Sequence, residues 1–305
     1  MSLRPGHVVC CVDRCDATPH LVAEAERLRA PGRGRLTLVH VAPPLEVLRG
    51  GLAGWEIDGE DLLAPPRRWL ESVGAGIPGA ETLLLCSDRP AAAVAGWARD
   101  AGADLIIASA HQGRLARTLL GSFTRSMIDL APCDAVIVRP VDGAGAGAGA
   151  GASESAARLA EVRHVACCVD GARGTRLAVE ATARLTGSAD VRVSVVHAVA
   201  PPRGLPRRLI ARLLPMPSAR RRPARRRLRR HAERLGQADQ VLLAGHPGQV
   251  VCDWAQRARV DLLVLGPRTR SRPGLGGFAS HVVSHAPCAV LLARRREGDS
   301  ARPGA

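Results

Sequence analysis

Short apolar runs rich in Val, Ile and Leu recur along the chain at 8–12, 36–41, 82–85, 105–108 and 135–138, and again at 165–169, 191–199, 240–243, 262–265 and 289–293. Most are apolar at successive positions instead of alternating with polar residues. That pattern suits strands of a parallel sheet covered by helices on both faces. Between the runs, residues 19–30, 91–101 and 122–130 carry helix-forming residues, with His20, Ala23 and Glu24 opening the first. Pro90 and Pro247 stand where a helix begins, a place that tolerates proline's fixed φ and missing donor. The predicted order in each half is βαβαβαβαβ, and right-handed crossovers make that an α/β fold of two doubly wound parallel sheets.

The two sets of runs are copies of one another. Residues 7–13 read HVVCCVD and residues 164–170 read HVACCVD, a displacement of 157 that also pairs His40 with His197, Pro90 with Pro247, Trp97 with Trp254 and Asp104 with Asp261. Solenoid units repeat every ~20–50 residues, so this period is far too long for one. It fits a domain of ~100–200 residues. The chain is therefore expected to hold one domain over 1–141, a linker over 142–160 and a second domain over 161–296. GAGAGAGAGA at 143–152 makes the linker flexible, and the polar residues 297–305 are expected to form a disordered tail.

Composition narrows the function classes. The 43 basic residues are all Arg, and Lys, Asn and Tyr are absent, a bias that a GC-rich genome would impose. The net charge of +15 is local: residues 203–234 hold thirteen Arg against Glu233, a net of +12, leaving +3 elsewhere. Nine Cys, four of them inside apolar runs, do not read as a disulfide framework, and no run approaches the ~18 apolar residues of a membrane span. The segment MSLRPGHVV lacks a signal-peptide pattern, and a cytoplasmic, reducing location is expected.

In an open parallel sheet the ligand crevice lies beyond the carboxyl ends of the strands. Asp13 and Asp170 end the first strand of each copy, Val41 and Ala198 end the second, and the loop after the fourth leads to a helix opening at Gly121-Ser122 or Gly276-Gly277. A helix N-terminus with small residues presents free N–H donors, the basis of a phosphate seat. VDRC and VDGA, VHV and VHA, GHP, ADLII and VDLLV, GSFTRSMIDLAPC and GGFASHVVSHAPC together resemble a tandem universal stress protein over 5–140 and 162–295. The resemblance implies Rossmann-like five-stranded domains with strand order 3-2-1-4-5, dimerisation through strand 5, adenine-nucleotide binding and a stress-response role without established catalysis. ATP or AMP is the ligand it implies.

The ATP-binding branch of that family carries Gly, two residues, Gly, nine residues, then Gly and Ser or Thr, with the glycines wrapping the phosphates. Both copies depart from it. Counting back from Gly121 puts Ala108 and His111 at the glycine positions, whereas anchoring on the end of the fourth strand puts Ser109 and Gln112 there. In copy two Gly266 matches the first glycine, Thr269 replaces the second, and the displacement between copies falls from 157 to 155. A Cβ at such a position obstructs backbone approach or forbids a positive φ. The candidate ligand-binding residues are Asp13, Val41, Ser109, Gly113, Gly121 and Ser122 in copy one and Asp170, Ala198, Gly266, Gly276 and Gly277 in copy two. His111, Arg114 and Arg117, or Arg268 and Arg270, would add polar or positive groups.

Other features compete for a role. Asp13 and Asp170 could instead cap the following helix, and His40 and His197, lacking an identified partner, read as structural. Cys10, Cys11, Cys167 and Cys168 read as small hydrophobes, with Cys86 or Cys15 the candidates for a redox thiol. No nucleophile–base pair or metal-ligand spacing stands out, so the chain reads as a regulator or scaffold, not an enzyme, with the copies forming an internal pseudo-dimer and a homodimer also open. The Arg segment 203–234 offers a second reading, a polyanion-binding surface for nucleic acid, acidic lipid or an acidic partner; there Pro223 is expected to interrupt, with a helix over 225–235 whose Leu228 and Leu235 face the domain. It has no aromatic residue to stack on bases.

Overall fold

Neighbouring cysteines reveal how the sheet is covered. Cys10 packs with Val8, Val12 and Leu38 on one face of the sheet, and Cys11 with Val9 and Val39 on the other. Cys167 and Cys168 repeat the division. Side chains alternate across a strand, so strands buried on both faces need a helix layer on each side.

The structure, a computed structural model, describes residues 5–30, 32–44, 62–110, 121–139, 159, 162–170, 174–186, 191–200, 218–236, 238–266 and 277–294. Copy one runs β1 (His7–Cys11), α1 (Thr18–Leu28), β2 (Arg35–Ala42), α2 (Ala64–Ala75), β3 (Ala80–Cys86), α3 (Pro90–Asp100), β4 (Leu105–Ser109), α4 (Ser122–Leu130) and β5 (Asp134–Val138). Copy two runs β6 (His164–Cys168), α5 (Gly174–Thr186), β7 (Arg192–Val199), α6 (Ser218–Arg234), β8 (Asp239–Ala244), α7 (Pro247–Arg257), β9 (Leu262–Leu265), α8 (Gly277–His285) and β10 (Ala289–Leu292). All ten apolar runs fall on strands. Pro90 and Pro247 open α3 and α7 as expected.

The strand order is β3-β2-β1-β4-β5-β10-β9-β6-β7-β8. Each copy thus has order 3-2-1-4-5, and the two five-stranded sheets fuse into one ten-stranded sheet because β5 and β10 pair antiparallel, Ile137 with Val290 and Val136 with Leu291. Helices α1, α2, α5 and α6 bury their apolar residues on one face, and α3, α4, α7 and α8 on the other.

Polar contacts tie the copies together. Asp134, buried on β5, accepts a hydrogen bond from Arg184 Nη2 of α5 (2.9 Å) and another from the Arg294 backbone N–H (2.7 Å). Arg139 donates to the Ser284 carbonyl at the C-terminal end of α8, where a cation also suits the helix dipole. Leu159 lies inside the span expected as linker, yet it is fully buried, and its N–H donates to Oε2 of the buried Glu24 at 2.6 Å. The chain is therefore anchored on α1 shortly before β6; residues 142–158 and the tail lie outside the described residues.

The helix α6 departs from expectation. It begins at Ser218 and continues through Pro223, which lies inside the helix and does not interrupt it. Proline forfeits one hydrogen bond, but Ala224, Leu228 and Ala232, which follow it, are buried, the last two in the core, and that packing carries the helix through.

Candidate functional site

Parallel pairing brings the predicted residues of copy one to the same edge of the sheet. Cys11 is in register with Val39, and Cys10 with Ile107. Two residues further on, Asp13 and Val41 share a level, with Ser109 at the end of β4 beside them. Asp13 is half-buried and its Oδ1 accepts the Arg14 N–H (2.8 Å), so its carboxylate does not cap α1. The start of α1 is held instead by Thr18, whose hydroxyl donates to the Asp13 carbonyl.

His40 donates Nδ1–H to the Val12 carbonyl at 3.0 Å and lies 4.0 Å from Asp13 Oδ1. Its ring meets Trp69 edge-on at 5.0 Å, and the Arg14 guanidinium sits 5.5 Å from the Trp69 ring. This aromatic and cationic wall was not legible in the repeat, since Trp69 has no copy: Leu70 and Leu228 are the matching buried residues of α2 and α6, which aligns Trp69 with Arg227.

The remaining part of the copy-one site is the start of α4. Gly121 is its N-cap, and among the described residues no side-chain cap bonds the first-turn N–H groups. Thr124, fully buried, donates its hydroxyl to the Ser109 carbonyl at 2.8 Å and so fixes the open helix terminus against the end of β4. Ser122 is exposed at that terminus, whereas Ser109 itself is 4 % exposed. The only sequence signal for Thr124 is the change from GSFT to GGFA between copies.

Copy two builds the same edge differently. Cys168 is in register with Val196 and Cys167 with Val264, which brings Asp170 level with Ala198 and Gly266 level with the neighbouring Val169. Asp170 Oδ1 accepts the Thr175 hydroxyl of α5 (2.8 Å), and His197 Nδ1–H donates to the Val169 carbonyl (2.6 Å). Gly266 lies directly against the start of α5: a Cβ there would stand 1.8 Å from the Gly174 carbonyl oxygen. The glycine that leaves room for phosphate in the family motif here makes room for the chain's own backbone. Gly277 opens α8, and Ala279, in place of Thr124, has no hydroxyl to offer.

The universal stress protein family model matches residues 5–139 and 161–294. The chain belongs to the universal stress protein family. Solved structures agree in fold over nearly its whole length. A protein from Pseudomonas aeruginosa UCBPP-PA14, assigned as a universal stress protein, is 13% identical with a TM-score of 0.64, covering 97% of this chain and 95% of its own. A functionally unknown protein from Pseudomonas aeruginosa PAO1 is 12% identical at 0.62, covering 97% and 94%, and a universal stress protein from Archaeoglobus fulgidus DSM 4304 is 12% identical at 0.59, covering 97% and 100%. No curated protein matches the sequence.

Of the residues expected to form the universal stress protein phosphate loops, Gly113 and Gly276, with His111, Gln112, Arg114, Arg117, Arg268, Thr269 and Arg270, lie outside the described residues. Among the described residues no group of three His, Cys, Asp or Glu is arranged to hold a metal ion, and no helix is long and apolar enough to cross a membrane. A shallow cleft lined by Glu26, Arg29, Gly32 and Pro78 lies at the amino-terminal edge of the strands, away from both crevices.

The thiols and histidines divide by burial. Burial pushes Cys11 and Cys167 up to about 12 and Cys252 to about 11, so these remain protonated. Cys86 is exposed, with its thiol 3.2 Å from the Pro43 carbonyl, and Cys15 is half-buried beside Thr18. His7 and His164 occupy equal sites: Nε2 bonds Thr37 (2.9 Å) or Ser194 (2.8 Å), Trp97 or Trp254 abuts the ring, and burial lowers both pKa values. Copy two alone has a further histidine group. His281 stacks on His285 at 4.2 Å and meets His246 at 5.7 Å, and burial followed by these two neighbours lowers its pKa.

Proposed function

We propose that this tandem universal stress protein is a non-catalytic stress regulator whose first domain receives an adenine nucleotide, with the second domain as its structural partner. The observation that carries this reading is the Thr124–Ser109 hydrogen bond, which holds the uncapped N-terminus of α4 beside Asp13 and Val41. A helix terminus so held offers preorganised N–H donors and a favourable dipole to a phosphate. Asp13 stands at the end of β1, where a ribose or base edge would meet a carboxylate, and the Trp69–Arg14 wall closes one side. In the second domain the backbone of Gly174 takes the corresponding space at Gly266, and the tie from Thr124 has no equivalent. Among the described residues no pair of groups at this edge combines a nucleophile with a base, which supports binding without turnover.

Calorimetry of the intact chain with ATP and AMP tests the reading. One nucleotide per chain is expected, with binding lost in Ser122→Glu, which sets a negative charge at the α4 terminus, and kept in Gly277→Glu. Absence of binding to the unmodified chain, or loss on the Gly277 substitution alone, would overturn it.

A further inference from the structure

The charge of this protein is concentrated on one helix at one end of its sheet. Helix α6 spans 17 residues, or roughly 26 Å at 1.5 Å per residue. Its buried stripe is Ala224, Leu228 and Ala232, the last two packing in the core beneath. The eight Arg between 221 and 234 are all exposed. At 3.6 residues per turn they cover about 240° of the helix circumference. Among the described residues Arg229 alone has an acidic partner, Glu233 at 2.9 Å.

The corresponding helix of the first domain cannot neutralise this face. Helix α2 carries Arg67, Arg68 and Glu71 and packs at β2 and β3, whereas α6 packs at β7 and β8. β3 and β8 are the opposite edges of the ten-stranded sheet, nine strand spacings or roughly 43 Å apart. The charge is therefore presented outward.

We propose that the outward face of α6 docks the phosphate backbone of a double-stranded nucleic acid without selecting its sequence. Three observations favour a duplex over other polyanions. The exposed face has no large apolar side chain to enter a lipid headgroup layer, because Leu228 and its neighbours on the apolar stripe are buried. It has no aromatic ring on which single-stranded bases would stack. A row of Arg222, Arg226 and Arg230, each about 6 Å further along the axis and turned by about 40°, meets a duplex that carries a charge every ~1.7 Å. Arg binds phosphate through paired N–H donors. The helix holds no Asn or Gln, and its one acid, Glu233, is engaged by Arg229, so the face meets phosphate and the contact positions without specifying. The surface is distinct from the nucleotide crevice of the first domain, and either can fail without the other.

The test is fluorescence anisotropy of the full chain with a labelled mixed-sequence duplex, titrated with salt. Binding at low salt that weakens as salt rises is expected, equal for unrelated duplex sequences. In the variant Arg222→Gln, Arg226→Gln, Arg230→Gln, affinity falls at least tenfold, and the log–log salt slope shrinks by roughly 2.7, at 0.9 for each phosphate no longer neutralised. Arg67→Gln with Arg68→Gln on α2 leaves binding unchanged. Circular dichroism of the triple variant matches the parent, since the three side chains are exposed. No duplex binding at low salt, undiminished binding by the triple variant, or stronger binding to single strands or phosphatidylserine vesicles would each overturn the proposal.

Discussion

Ser109 and Gly266 occupy one position in two copies of one fold, and they have opposite surroundings. Ser109 keeps a side chain, and its carbonyl holds the start of α4 through Thr124. Gly266 has no side chain because the start of α5 lies against it. A crevice at the end of a parallel sheet can hold a ligand or be closed by its own chain. The two copies took different options although the strands that build the crevice are nearly identical. Sequence similarity in strands therefore says little about whether the loops above them leave room.

The largest expected effect comes from giving copy two the side chain that copy one tolerates. Gly266→Ala drives a Cβ into the Gly174 carbonyl and is expected to cost about 3 kcal/mol or more in urea unfolding, as overpacking against backbone that cannot yield. Ser109→Ala, by contrast, keeps the Cβ and should change stability much less. An equal response at the two positions would erase the difference between the crevices.

Next comes the junction. Asp134 has Ala289 as its counterpart, so one copy alone supplies the carboxylate that receives Arg184 and Arg294. Asp134→Ala should cost about 2 kcal/mol, the scale of charge-assisted hydrogen bonds. Arg184 is half-exposed and can return to water, which keeps the loss below that of a fully buried pair. Limited proteolysis of the variant should separate the copies more readily.

Thr124→Val keeps the shape and removes the hydroxyl, leaving the Ser109 carbonyl without that donor at a cost of about 1 kcal/mol. The same change should weaken adenine-nucleotide binding about tenfold, the equivalent of 1.4 kcal/mol, by calorimetry. Ala279→Thr should give copy two no binding, because the Gly266 crevice stays closed.

The smallest effect is that of pH. His7, His164 and His281 all have pKa values lowered from 6.5, with burial the first cause. Each takes up a proton more readily in the unfolded chain than in the folded one. Their stability is therefore fully present above 6.5 and declines as pH falls below that value through the lowered folded-state values. The urea midpoint should fall on acidification, and His281→Gln should lessen the fall by removing a site that copy one does not have. A midpoint that rises on acidification would contradict the sign.

The sequence by itself determined the strands, their parallel arrangement and the duplication, because period and apolarity are local properties that repeat wherever the fold repeats. His7 and His164 are matched in register, burial and partners, as a displacement of 157 requires. Asp13, Val41 and Ser109 reached one edge because parallel register follows from the same pattern. Tertiary structure alone decided what depends on contacts between distant segments. The two sheets became one through β5 and β10, Leu159 left its Gly-rich surroundings for a core beside Glu24, and Pro223 remained in a helix because its neighbours had apolar surface to bury. The closure of copy two at Gly266 is of this kind. A glycine in a sequence says that space is needed, and only the fold says whether a ligand or the chain itself fills it.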